Sequence, residues 1–281
     1  LQTLAGLAQL AIGQGLKEFE TETEKDKGMK DLVRILAALR TGLNDAKYST
    51  DRDVTQVIAK TTADLPFALA FPAAKRKTVG ASARTQSTNN LKQIGLAMHN
   101  YASVHGSLPP AAVCDKAGKP LLSWRVLILP YIEQDALYKE FKLDEAWDSD
   151  HNKKLIAKMP RIYTVPEPTT AKANETHYRV FVGNGAVFEY LKGPKFEDIS
   201  DGTSNTILTV TAKDAVTWTK PDELAFDPDK DMTKLLGFFP GDVCVVGFAD
   251  GSVRALSKTF SKKSLNGAIT KNGGEVLGDG Q

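Results

Sequence analysis

The chain has 281 residues, 42% hydrophobic and 25% charged, and its 36 basic and 34 acidic residues leave a net charge of +2. This composition excludes the disordered, collagen-like and coiled-coil classes, and the charge balance gives no reason to expect nucleic acid as a partner. A chain of this length buries roughly three quarters of its unfolded surface, so it needs no disulfide or metal staple to fold.

In chain order, "LQTLAGLAQLAIG" carries Leu4, Leu7, Ala8 and Ala11 at helical spacing. After the charged "TETEKDKG", Met29, Leu32, Val33, Leu36, Leu39 and Leu43 predict a second amphipathic helix ending near Lys47. "DVTQVIAKTTA" is rich in β-branched residues and predicts a strand. Asp64 is placed to cap a following helix with Pro66 in its first turn, which Pro72 is expected to kink or end. A long helix is predicted from about Ser82 to Ser103, with Leu91, Ile94, Met98 and Tyr101 as its buried stripe. Gly95 lies beside that stripe, where another element can approach the backbone. "LLSWRVLILPYIEQDALYKEFK" starts extended and then predicts a helix with Pro130 in its first turn. Short β-like runs follow in "HYRVFVGNG", "AVFEYL", "NTILTVTA", "AVTWT", "VCVVGFA" and "SVRAL", and a last helix, "KSLNGAITKN", is expected to stop at Gly273-Gly274. Helices first and strands later predict an α+β fold, a long N-terminal helix packed on an antiparallel sheet. The expected division is a small helical-plus-strand segment over 1–63 and the α+β domain over 64–281.

No run of 18 apolar residues occurs, so no membrane span is expected in this chain. It begins at Leu1 without a basic segment, apolar stretch and cleavage site, and is expected to be a processed or trimmed piece. Of the two cysteines, Cys114 and Cys244, a loop thiol and a buried strand thiol are expected in preference to a bridge.

Several stretches together resemble one family: "RTQSTNNLKQIGLAMHNYASVHGSLPPA", "SWRVLILPYIEQDALYKEF", "EAWDSDHNKKLIAKMP", "ISDGTSNTILTV" and "FADGSVRAL". Their order and spacing resemble the planctomycete family called domain of unknown function 1559, over about residues 65–276. The resemblance implies a pseudopilin-like core associated with the cell envelope, normally preceded by a hydrophobic pilin-type helix. Three departures stand out: "DLPFALAFPAAKRK" replaces the end of that anchor, Phe239 and Pro240 stand where a His is usual, and Thr211 stands where an acid is common.

The motif residues are read as structural. Asp250-Gly251 is expected to form a two-residue hairpin turn with positive φ at both positions. Gly202, Ser204 and Asn205 in "SDGTSNT" are expected to order a loop, and Asn90, Gly95, His99 and Asn100 to serve the helix. Asp227, Asp229 and Asp231 resemble a calcium loop, but Met232 and Phe238 stand where its Gly and Glu are needed. No metal site or cofactor is expected, because no His or Cys spacing suits one. Trp124, Arg125, Tyr163, Tyr178 and Trp218 are the candidate binding residues if their rings are exposed.

The leading expectation is a non-enzymatic cell-envelope or secreted protein acting by surface assembly or binding. A secreted solute- or glycan-binding module is the alternative; a hydrolase would rest only on scattered Ser, His and Asp. Self-assembly or an envelope partner, and a small-molecule or glycan ligand, are left open.

Overall fold

The computed structural model describes residues 47–51, 54–58, 67–166, 171–238 and 243–273, with side chains from Ser82 onward. The helices expected around Leu4–Ala11 and Met29–Leu43, the Asp64 cap and the Phe239-Pro240 pair lie outside the described residues. The chain divides into two compact units, Leu1–Thr78 and Val79–Gln281.

In the first unit, β1 (Lys47–Asp51) pairs antiparallel with β2 (Val54–Ile58), Lys47 opposite Ile58. β2 is the strand read from "DVTQVI"; β1 begins at Lys47, where the predicted helix was expected to end, and its other four residues carried no expected element. Strand formation by "KYSTD" depends on the partner across the ladder more than on its own propensity.

A single helix, α1, runs from Phe67 to His105, fifteen residues earlier than the stripe alone suggests. Pro72 neither ends nor delimits it. It sits in the second turn, where proline's missing N–H leaves only the carbonyl of Ala68 without its helical donor. Along the second half of α1, Ala83, Ser87, Leu91, Ile94, Ala97, Met98 and Ala102 are buried at helical spacing. Full burial of Leu91, Ile94 and Met98 is worth about 1.5–3 kcal/mol each. Tyr101 is only half-buried, its ring stacked on His105 with centroids 4.1 Å apart.

Four antiparallel strands form the main sheet, in the order β10 (Val253–Ser257), β9 (Val243–Phe248), β7 (Ile207–Thr217), β5 (Glu175–Arg179). β7 merges the two runs "NTILTVTA" and "AVTWT" into one 11-residue strand. Residues alternate between the two faces of the sheet, and a bulge between Ile207 and Thr209 resets the alternation in β7, so that Leu208 and Val210 face opposite sides. Tyr178, Leu208 and Val245 join the core built around α1. Val210, Ala212, Cys244, Val246 and Phe248 join a second core closed by Leu265, Ala268 and Ile269. Those last three come from a C-terminal helix, Lys262–Ile269. The sheet is thus covered on both faces, which is why β7 opens with six buried residues in a row.

The C-terminal helix ends at Ile269, short of the expected Gly273-Gly274, because Thr270 turns extended and bridges to Ala186. The helix predicted after Pro130 is also interrupted. A helical turn at Trp124–Leu127 is followed by a 3-10 turn at Leu129–Ile132. Glu133 then takes a left-handed conformation (φ 62°), and helix resumes at Asp135–Glu140. Two small sheets complete the fold, β3 (Ala112–Cys114) with β4 (Pro120–Ser123), and β6 (Phe181–Val182) with β8 (Leu224–Ala225).

Candidate functional site

Three of the motif stretches meet in space. α1 crosses the tip of the β9–β10 hairpin at Gly95, where a Cβ would lie 3.7 Å from the Cα of Gly251. One turn later His99 donates from Nε2 to the carbonyl of Ala249 (2.9 Å), and its ring packs on Phe196 with centroids 4.7 Å apart. On the other side of the tip, Ala249 N–H donates to Thr206 and Asp250 N–H to Thr203. The "SDGTSNT" loop holds itself for that contact: Asn205 bonds the Asp201 carbonyl and Thr206 the Gly202 carbonyl. Arg254 reaches back to the carbonyl of Ser204 (3.0 Å). Asn90 anchors α1 further up, donating to Thr164 (2.9 Å) and Tyr178 (3.3 Å). Asn100 is exposed and takes no part in the junction.

The hairpin turn differs from expectation. Gly251 N–H donates to Phe248 and only Gly251 has positive φ (83°); Asp250 does not. Ala249 joins the turn, giving a three-residue loop that ends in a left-handed residue, a geometry needing one positive φ instead of two. The Asp250 carboxylate accepts the N–H of Ser252 (2.8 Å) and so braces the turn. Gly251→Ala is expected to cost about 1–2 kcal/mol through backbone strain, read from thermal unfolding. Space is not the obstacle, since the nearest atom to a Cβ there is His99 Nε2 at 4.0 Å.

A second polar constellation is fully buried. Ser123 caps the turn at Trp124 and brings Arg125 inward. All five guanidinium donors are used. Nε (3.0 Å) and Nη2 (2.6 Å) donate to the Tyr178 carbonyl, Nη1 to Ser123 Oγ (2.5 Å) and Glu223 Oε1 (2.9 Å), and Nη2 to Glu223 Oε2 (3.4 Å). Glu223 Oε2 in turn accepts the N–H of Val180 (2.9 Å). The carbonyl of residue 178 and the N–H of residue 180 project from the same edge of the strand, where a further strand would pair. The ion pair occupies that place. Just beyond it, the N–H groups of Leu224 and Phe226 bond the carbonyls of Val180 and Val182 and carry the ladder on. Burial pushes the Glu223 carboxyl up, with the Arg125 charge as the main opposing influence, and burial lowers the Arg125 guanidinium. Desolvation therefore outweighs the mutual attraction, and what justifies the pair is the backbone edge that it satisfies.

The five candidate binding residues do not form an exposed platform. Trp124, Arg125, Tyr163, Tyr178 and Trp218 are all 0% exposed. Tyr163 and Trp218 stack with centroids 5.7 Å apart, Phe141 meets Trp218 edge-on, and Trp218 Nε1 donates to Ile156 (2.9 Å). Tyr178 Oη bonds Ser87 on α1 (2.8 Å), and burial pushes its phenol up to about 12. Tyr163 donates from Oη to the Arg125 carbonyl.

The three aspartates are occupied locally. Asp227 pairs with Lys230 and accepts the N–H of Asp229, while Asp231 caps the 3-10 turn at Thr233. Among the described residues no three His, Cys, Asp or Glu side chains converge as a metal site would require. Ser123 Oγ faces Arg125 and Ser204 is exposed. Thr211, in the position where an acid is common in the resembling family, bonds the Val245 carbonyl inside the sheet.

Both cysteines are free, Cys114 half-buried at the end of β3 and Cys244 buried in β9. Burial pushes the Cys244 thiol up from 9.0 to about 12. A thiol-specific reagent near neutral pH is expected to leave Cys244 unmodified in the native protein and to modify it after unfolding; native labelling of Cys244 would contradict its place in the core. The unfolded chain releases this proton at an ordinary thiol pH and the folded chain only near 12. Its contribution to stability is therefore complete below pH 9 and is lost as the pH rises from 9 toward 12.

The class defined by these features is an α+β domain whose long helix is pinned to an antiparallel sheet by its own polar motifs. Residues 81–167 match the family described as "Protein of unknown function (DUF1559)". The resemblance read from the sequence thus holds over the second half of α1, the Arg125 turn and the residues that follow as far as 167. No curated protein and no solved structure matches the chain.

Proposed function

We propose that the protein is a non-enzymatic component of the cell envelope, or a secreted one, that acts by surface assembly or binding through a pseudopilin-like core. The observation that carries this reading is α1. The helix is 39 residues long, and its second half, from Ala83 to Ala102, supplies one wall of the core. A long helix spliced into a sheet domain suits assembly through the helix. The polar residues of the three motif stretches support the same reading, since they hold α1, the hairpin and the "SDGTSNT" loop together. Fractionation and sizing of the native protein test it. The expected result is envelope association or a higher-order species; a cytoplasmic monomer would contradict it.

A further inference from the structure

The four-stranded sheet treats its two edges differently. At β5 the outward backbone groups of Tyr178 and Val180 are taken by Arg125 and Glu223. β10, at the other edge, pairs with β9 over five residues without a register shift and has no strand beyond it. Phe248 N–H donates to the Ser252 carbonyl (2.8 Å), which fixes the alternation along the hairpin. Arg254 and Leu256 therefore exchange bonds with Val246 and Cys244, while Val253 and Ala255 turn their N–H and C=O groups away from β9. Among the described residues these outward groups have no partner. Both residues are half-buried, and their side chains share the face on which Val253 packs against the α1 core. Arg254, between them, lies on the other face with its guanidinium 4.3 Å from the centre of the Phe248 ring. It bonds the Ser204 carbonyl and forms no ion pair among the described residues. The acids of the adjoining loops are turned to backbone, Asp250 to the N–H of Ser252 and Asp201 to that of Gly273.

We infer that β10 is a docking edge for an extended segment of a partner protein, added antiparallel as a further strand and reading apolar–acidic–apolar. Paired opposite Val253 and Ala255, such a segment uses every outward N–H and C=O group of the two residues. Its apolar side chains extend the face of Val253 and Ala255, and its acid stands directly across from Arg254. The β10 of a second copy is a poorer occupant, because the two-fold register that makes the same backbone bonds sets Arg254 against Arg254. Neither a proline nor a bulge, the common ways of blunting an open edge, interrupts β10. The edge is built in advance, so pairing orders the incoming segment and little else. This inference rests on none of the observations about α1; fractionation and sizing test the envelope reading, and an added peptide tests the edge.

The probe is the synthetic peptide acetyl-Thr-Val-Glu-Val-Thr-amide, titrated to millimolar concentration into the full chain and followed by amide NMR. Shifts and slowed exchange at the amides of Val253 and Ala255 are expected. The same peptide N-methylated at both valines lacks the donors that face β10 and is expected not to bind. With Lys in place of its Glu, binding is expected to weaken about tenfold. Ala255→Pro removes an outward donor that bonds nothing within the hairpin, so binding is expected to be lost while circular dichroism and melting stay unchanged. No response at Val253 and Ala255, equal binding of the N-methylated peptide, or undiminished binding to Ala255→Pro would overturn the inference. So would dimerisation of the parent chain that Ala255→Pro abolishes, since the edge would then belong to a second copy.

Discussion

Replacing Arg125 with Met is expected to lower the unfolding free energy by about 3–5 kcal/mol, because it leaves the Glu223 carboxylate buried and unpaired. The usual remedy, replacing both partners with apolar residues of similar volume, is expected to fail here. The Tyr178 carbonyl and the Val180 N–H depend on the pair for their partners. In Arg125→Met/Glu223→Leu those two backbone groups stay buried without partners, at about 1–3 kcal/mol each. Urea unfolding of the single and double variants measures this. A double variant as stable as the parent would mean that the strand edge does not need the pair.

Trp218→Ala is expected to destabilise by about 3–5 kcal/mol, the usual cost of emptying a large aromatic site in a core. The ring is 0% exposed, stacks on Tyr163, is met edge-on by Phe141 and is tied through Nε1 to Ile156. Its removal opens a void between the β7 end of the sheet and the loops over it, and strands one carbonyl. Calorimetry or urea unfolding gives the number. A change below about 1 kcal/mol would place Trp218 at the surface, where loss of a side chain is usually tolerated.

These expectations separate what the chain shows locally from what it does not. The stripe Leu91, Ile94, Met98 could be read because a helix repeats its buried face every three or four residues, and all three are buried. The β9–β10 hairpin was visible from its β-branched arms around Asp-Gly, but not its turn type. Drawing Ala249 into the loop is decided by the register of the arms and by the contacts that Thr203, Thr206 and His99 make with the tip. α1 was read too short because proline was given more weight than its place near the start of a helix warrants.

The Arg125–Glu223 pair had no readable signal. Its members stand 98 positions apart, and Glu223 lies in "KPDEL", which reads as a solvated turn. Only the sheet edge between them, created by tertiary pairing, gives the carboxylate a reason to be buried. Asn152 was missed likewise. It is fully buried and its amide bonds the carbonyls of Lys142, Glu145 and Ala146, organising a loop whose sequence looks merely polar. The aromatic residues could bind a ligand only if exposed, and a core role was the plainer reading for the tryptophans; the rings are buried and packed on one another.

Native-state hydrogen exchange at Val180 tests most directly whether these polar groups serve the scaffold. Its amide bonds no strand, only the Glu223 carboxylate. If the ion pair closes the sheet, that amide exchanges as slowly as Val246 in the ladder between β9 and β10, through global unfolding alone. Exchange at the rate of a frayed edge would show the pair to be open to water, and the sealed scaffold would have to be given up.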